Sequence, residues 1–166
     1  MKQTLLFITL LLIITTGFSQ TVCDTTGNRI YAYLEHPPQP TITDAELELK
    51  LNSTISPTSL ANYHADYLYV TFIINCKGED FDYKLAKRSD GLLIQDSTSE
   101  FQLAFLSNFQ SFATWKPGLN TVMEKGKPVE KPVDFHGSYI LKVEGNKLHI
   151  LNTQEKKKYF KSKKRE

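Results

Sequence analysis

Hydrophobic positions along this chain fall into runs of distinct period. From Leu5 to Ile14 the residues are apolar except for Thr9, after a lone cation at Lys2, and Thr15–Thr16–Gly17 ends the run. A cationic start, a short apolar stretch and small residues at its exit predict a secretory signal peptide over 1–19, with Gly17 and Ser19 where small side chains are needed. The alternative is an uncleaved anchor, but the run is well short of the roughly 20 residues that span a bilayer. Over 20–42 the pattern lapses. Pro37, Pro38 and Pro40 predict an extended Pro-rich lead-in, whose Ile30, Tyr31, Tyr33 and Leu34 are free to dock on the domain or form an edge strand.

A domain is predicted over 43–152. Thr43–Asp44–Ala45–Glu46 fits a capping box, in which hydroxyl and carboxylate satisfy helix-end N–H groups reciprocally. Leu47, Leu51 and Ile55 then recur at helical spacing. Leu47–Leu49–Leu51 also alternates as a strand would, and the cap favours the helix, which Pro57 ends. Tyr67–Asn75 is almost wholly β-branched or aromatic, a strand covered on both faces. A turn at 75–80, with Gly78 free to take positive φ, leads to the alternating Phe81, Tyr83 and Leu85. Ser97–Thr98–Ser99–Glu100 predicts a second capped helix, carrying Phe101, Phe105, Phe109 and Phe112 as a core stripe. Pro117–Gly118 turns the chain after Trp115. Gly126–Lys127–Pro128 opens a turn into strands, and Glu144–Gly145–Asn146–Lys147 closes a last hairpin. The expected fold is α+β, with two helices on one face of a small, mostly antiparallel sheet of three to five strands.

Composition adds three points. With 40% hydrophobic and 23% charged residues the chain is ordinary for a globular protein, which excludes general disorder. The net charge of +2 is unevenly placed: residues 155–166 hold six Lys, one Arg and two Glu. A basic tail over 153–166 is expected, solvated and frayed or touching anionic lipid or polymer. Nucleic acid is a poor partner for an exported chain. The cysteines are Cys23 and Cys76. An even pair in an oxidising compartment suits a disulfide; the alternative is a buried thiol at 76 and a free one at 23. Their spacing does not make a metal site.

The stretch from about Pro40 to Phe135 resembles the TonB C-terminal domain family. Tyr69-Val70-Thr71-Phe72-Ile73-Ile74-Asn75-Cys76-Lys77-Gly78 is similar to the family's strand ending in Asn-x-x-Gly. Trp115-Lys116-Pro117-Gly118 is similar to its Trp-x-Pro-Gly, and Gly126-Lys127-Pro128-Val129 to its Gly-x-Pro-Val before the last strand. On this resemblance Trp115, Pro117, Gly118, Gly78, Phe105 and Phe109 are architectural. The implied activity is binding of an envelope or outer-membrane transporter protein by β-strand addition, where backbone groups of a sheet edge carry affinity. The edge is expected in the Pro128–Val143 region, flanked by Val129, Val133, Phe135, Tyr139, Ile140 and Leu141. Pro132 suits an edge or a bulge. The resemblance implies a link to TonB-dependent transport, while the cleavable N-terminal segment and the short Pro-rich part depart from the family's membrane anchor and long spacer, which argues against energising transport alone.

Enzyme chemistry has little footing. His64–Ala65–Asp66 and Asp134–Phe135–His136 each place an acid two residues from a histidine, but neither lies in a nucleophile or metal motif. His36 and His149 are isolated. No cofactor and no catalytic or metal residue is expected. The expected protein is an exported binding module of the periplasm or exterior of a Gram-negative-type cell, and a dimer is compatible with it. The alternative is an envelope accessory that binds anionic polymer or lipid through its basic tail.

Overall fold

The structure is a computed structural model and describes residues 30–89, 92–95 and 99–163. The expected signal peptide over 1–19, the expected lead-in up to residue 29 with Cys23, Ser97–Thr98 and residues 164–166 lie outside the described residues. Among the described residues the fold is mixed α and β, with antiparallel strand pairing within every sheet and four helices.

The chain enters through a short strand, β1 (Gln39–Pro40). Helix α1 (Asp44–Thr54) starts at the Thr43 capping box: Glu46 N–H donates to Thr43 Oγ1 at 3.2 Å, and Thr43 N–H donates to Glu46 Oε2 at 2.8 Å. Leu47 and Leu51 are buried as the helical spacing predicts. Pro57 does not simply stop the helix. Its fixed φ suits a first turn, and after the extended Ile55 it opens a second helix, α2 (Pro57–Asn62), capped by Ser56. Strands β2 (Tyr67–Ile74) and β3 (Asp80–Ser89) form the expected hairpin, and β4 (Leu92–Gln95) pairs with the end of β3.

Helix α3 (Glu100–Phe112) is capped by Ser99, whose hydroxyl accepts from Gln102 N–H at 3.2 Å. The cap therefore falls two residues after the expected Ser97. Phe105 and Phe109 are fully buried, and Phe101 and Phe112 pack against the same core. Then follow β5 (Trp115–Lys116), paired with β1, and the hairpin β6 (Gly118–Glu124) with β7 (Lys127–Val133). Strands β8 (Phe135–Glu144) and β9 (Lys147–Ile150) complete a five-stranded sheet of order β4-β3-β2-β8-β9. Lys125 and Gly126, and again Gly145 and Asn146, have positive φ, the geometry of tight two-residue hairpin turns.

Alternation along β2 divides its side chains between two layers. Leu68, Val70, Phe72 and Ile74 join Leu47, Leu51, Leu60, Phe105 and Phe109 beneath α1, α2 and α3. Tyr67 and Tyr69 face the other way, toward Ile140, Leu151 and Tyr159. Here the expectation of helices on a single face is corrected. Residues Thr153–Lys163 are a helix, α4, not a frayed tail, because Tyr159 gives the Lys-rich segment one buried anchor. Tyr159 is tilted against Tyr67 with ring centroids 4.8 Å apart and ring planes at 53°, and its hydroxyl accepts from Arg88 Nη1 at 2.8 Å and bonds Tyr69 Oη.

Candidate functional site: the margins of the sheets

Two of the motifs meet in one joint. Asn75 is fully buried, and its Oδ1 accepts from Lys77 N–H at 2.9 Å and Glu79 N–H at 3.0 Å, which folds the turn around it. Gly78 has φ +83°, and a Cβ there would lie 2.4 Å from the Trp115 carbonyl oxygen. Only glycine lets β5 cross this turn. The Trp115 indole packs on Phe72 at 5.0 Å and Tyr139 at 6.1 Å, and its Nε1–H donates to Asp80 Oδ2 at 3.1 Å. The same carboxylate accepts from Tyr83 Oη. Burial, reinforced by that carboxylate, holds the Tyr83 phenol well above its ordinary value. At Gly118 a Cβ would stand 2.6 Å from Leu34 Cδ1 and 2.7 Å from Pro38 Cδ, so the lead-in lies directly on the backbone. Trp115, Pro117, Gly118, Gly78, Phe105 and Phe109 thus all sit in the core or its joints.

The expected binding residues divide. Tyr139, Ile140 and Leu141 are buried in β8, which pairs with β2 along its length and with β9 from Leu141 to Glu144. They belong to the core rather than to an edge, a correction whose cause is the closing hairpin: β9 folds back over the margin that these residues would have offered. Phe135 is half-buried and bridged by Tyr31, whose N–H donates to Asp134 O at 3.0 Å and whose carbonyl accepts from His136 N–H at 2.8 Å. At the other end Leu151 N–H donates to Ile140 O at 2.9 Å. Between them only Ser138 faces outward along β8 without a backbone partner among the described residues. Val133 is half-buried and Val129 exposed, both on β7.

The outer margin of β9 is closed by side chains of α1. Asn52 Oδ1 accepts from Leu148 N–H and Asn52 Nδ2 donates to Leu148 O, both at 2.8 Å, while Glu48 Oε2 accepts from Ile150 N–H at 2.8 Å. His149, between them, lies 3.1 Å from both Glu48 and Glu155. The hydrogen bond from Glu155, then the charge of Glu48, raises its imidazole above the ordinary 6.5. At the opposite margin β4 is only four residues long. Below it β3 carries Asp82 at φ +53°, paired with Lys84 at 3.0 Å. Short, irregular and charged edges of this kind resist strand pairing.

The β6–β7 hairpin differs. Leu119 N–H donates to His36 O at 2.9 Å, so Leu119 faces away from β7. Opposite residues of an antiparallel pair face alike and alternate along the strand. The register Leu119↔Pro132, Thr121↔Glu130 and Met123↔Pro128 therefore turns all six outward. On β7 two of the three outward positions are proline and have no N–H to offer. On β6 Leu119 is taken by His36, while Thr121 and Met123 keep both backbone groups open, with no strand alongside among the described residues. Thr121 and Met123 escaped the sequence reading. The usable signal was the pair Pro128 and Pro132, four apart on one strand, which blanks one edge of a hairpin and leaves the other.

Other candidates resolve into structural roles. Asp134 is buried and accepts from Cys76 N–H at 3.0 Å, whereas His136 is exposed. His64 and Asp66 are exposed beside β2, and His36 pairs with Glu130 at 3.3 Å. Cys76 is disulfide-bonded; Cys23 lies outside the described residues. Among the described residues no group of three or more His, Cys, Asp and Glu side chains is placed to hold a metal ion, and no helix is long and apolar enough to cross a membrane. Comparison of the chain with protein-family models, with curated proteins and with solved structures finds no match.

Proposed function

We propose that this chain is an exported, TonB-like protein-binding module that takes up an extended segment of an envelope or outer-membrane transporter partner by β-strand addition. The observation that carries this reading is the asymmetry of the β6–β7 hairpin: prolines blank the outer edge of β7, while Thr121 and Met123 leave that of β6 open. The site thus moves from the β8 region to the facing strand of the neighbouring hairpin. Two N–H and two C=O groups, at about 1 kcal/mol each, support a weak and reversible complex. Met123 is 70% exposed and Val129 37%, and they supply apolar contact on the two faces beside the edge. His36, already paired with Leu119, marks the line that an added strand follows.

The test is capture of a partner from a detergent-solubilised envelope fraction by the full chain and its proline variants. Met123→Pro and Thr121→Pro each remove one outward N–H without touching the β6–β7 ladder, so the fold is expected to persist, checked by thermal unfolding. Capture is expected to be lost in both and retained in Glu130→Pro, which alters the outer edge of β7. Capture that survives Met123→Pro and Thr121→Pro contradicts the reading.

A further inference from the structure

Helix α4 carries a surface that strand addition does not use. Thr153, Lys156, Lys157, Phe160 and Lys161 line one shallow concavity of about 390 Å³. Their spacing, i, i+3, i+4, i+7 and i+8, is that of the stripe by which a helix normally packs on a core. Here the core-facing role is filled by Tyr159, and Lys156 is half-buried with its ammonium 5.5 Å from the centre of the Tyr139 ring, while Thr153, Lys157, Phe160 and Lys161 face outward, Phe160 being 54% exposed. Glu155 is the lone acid of the helix, and it is turned away: its carboxylate meets His149 at 3.1 Å and accepts from Asn152 N–H at 2.8 Å. Lys158 lies on the other flank, in a groove with Glu144 and Glu155. The outward stripe is therefore cationic through Lys157 and Lys161, and the exposed Phe160 ring stands between them.

We infer that this stripe is a docking surface for an anionic lipid bilayer. Lysines paired with an exposed aromatic ring match the interface of a charged membrane, where ammonium groups meet phosphates and the ring enters the boundary between headgroups and acyl chains. A soluble polyanion would engage the lysines and gain nothing from Phe160. The helix is tied to the sheet by Tyr159 and by the Glu155–His149 pair, so it meets the bilayer at its surface and does not insert. Such contact would hold the module at a membrane while the β6 edge stays free, and it does not depend on the strand-addition reading.

The test is co-sedimentation of the full chain with vesicles of phosphatidylcholine, with and without about 30% phosphatidylglycerol. Binding is expected only with the anionic lipid, and screening at 0.5 M salt is expected to weaken it strongly. Neutralising Lys157 or Lys161 to Gln is expected to lower the partition about fivefold each. Phe160→Ser is expected to lower it about tenfold, with thermal unfolding unchanged because the ring is exposed. Equal binding to neutral vesicles, no binding to anionic ones, or a partition indifferent to Phe160→Ser would each overturn the inference. The last of these would mark a lysine surface for soluble polyanions instead.

Discussion

The main sheet and the β6–β7 hairpin treat their edges in opposite ways. Along β9 every outward backbone group from Leu148 to Ile150 that carries a hydrogen bond is met by a side chain of α1. Along β8 the lead-in takes one end and Leu151 the other. In the hairpin one edge is disabled by Pro128 and Pro132, and the other is left with unspent donors and acceptors at Thr121 and Met123. A two-stranded ribbon is marginal on its own in water, so an open edge here leaves backbone groups that the proposed strand addition would pair. The main sheet closes its margin with side chains, whereas the hairpin closes one side only.

The comparison can be broken at several points. The largest effect is expected in the core that supports the sheet: Phe109→Ala should cost about 3–5 kcal/mol in chemical denaturation, against about 0.5 kcal/mol or less for Val129→Ala on the hairpin. Next is the β9 margin. Asn52→Ala removes both bonds to Leu148 and should cost about 1–3 kcal/mol. It should also raise self-association in sedimentation velocity, since a bare edge pairs with its like. Replacing Pro128 and Pro132 by Val restores N–H groups to the outer edge of β7. Stability should change by about 0.5 kcal/mol or less, but association should rise, and an unchanged monomer would deny that the prolines guard that edge.

The smallest effect concerns His149. Its folded pKa lies above 6.5, so its contribution is fully present below that value and fades as pH rises through the raised one. The excess in unfolding temperature of the native chain over His149→Gln should therefore be greatest near about pH 6 and shrink toward about pH 9. A constant difference across that range would mean that the Glu48–His149–Glu155 contact does not hold α4 to β9.

Much of this was legible in the residues. Capping at Thr43, the Phe stripe of α3, the β2–β3 hairpin and the turns at Gly126 and Gly145 are all local signals, set by hydrogen bonding and φ within a few residues, and all recur in the structure. What escaped depends on distant partners. The 153–166 segment reads as a solvated tail because nothing nearby reveals that Tyr159 will meet Tyr67 and Arg88. Leu141 reads as an edge residue on the resemblance although the Glu144–Lys147 turn already predicts a strand returning beside it, and the partner no local signal reveals is β2 on its other margin. Glu48 and Asn52 look like polar positions of an exposed helix face, and only the assembled sheet shows them capping a strand. At the site, Pro128 and Pro132 each carry only a local turn or edge signal, and their joint effect depends on the register of the hairpin.

Amide hydrogen exchange on the free protein, resolved to single residues, tests the contrast between closed and open margins most directly. Leu148 and Ile150 N–H, though on an edge strand, should exchange slowly because Asn52 and Glu48 hold them, while Thr121 and Met123 N–H should exchange at rates close to those of an unstructured peptide. Slow exchange at Thr121 and Met123 in the absence of any partner would contradict the account.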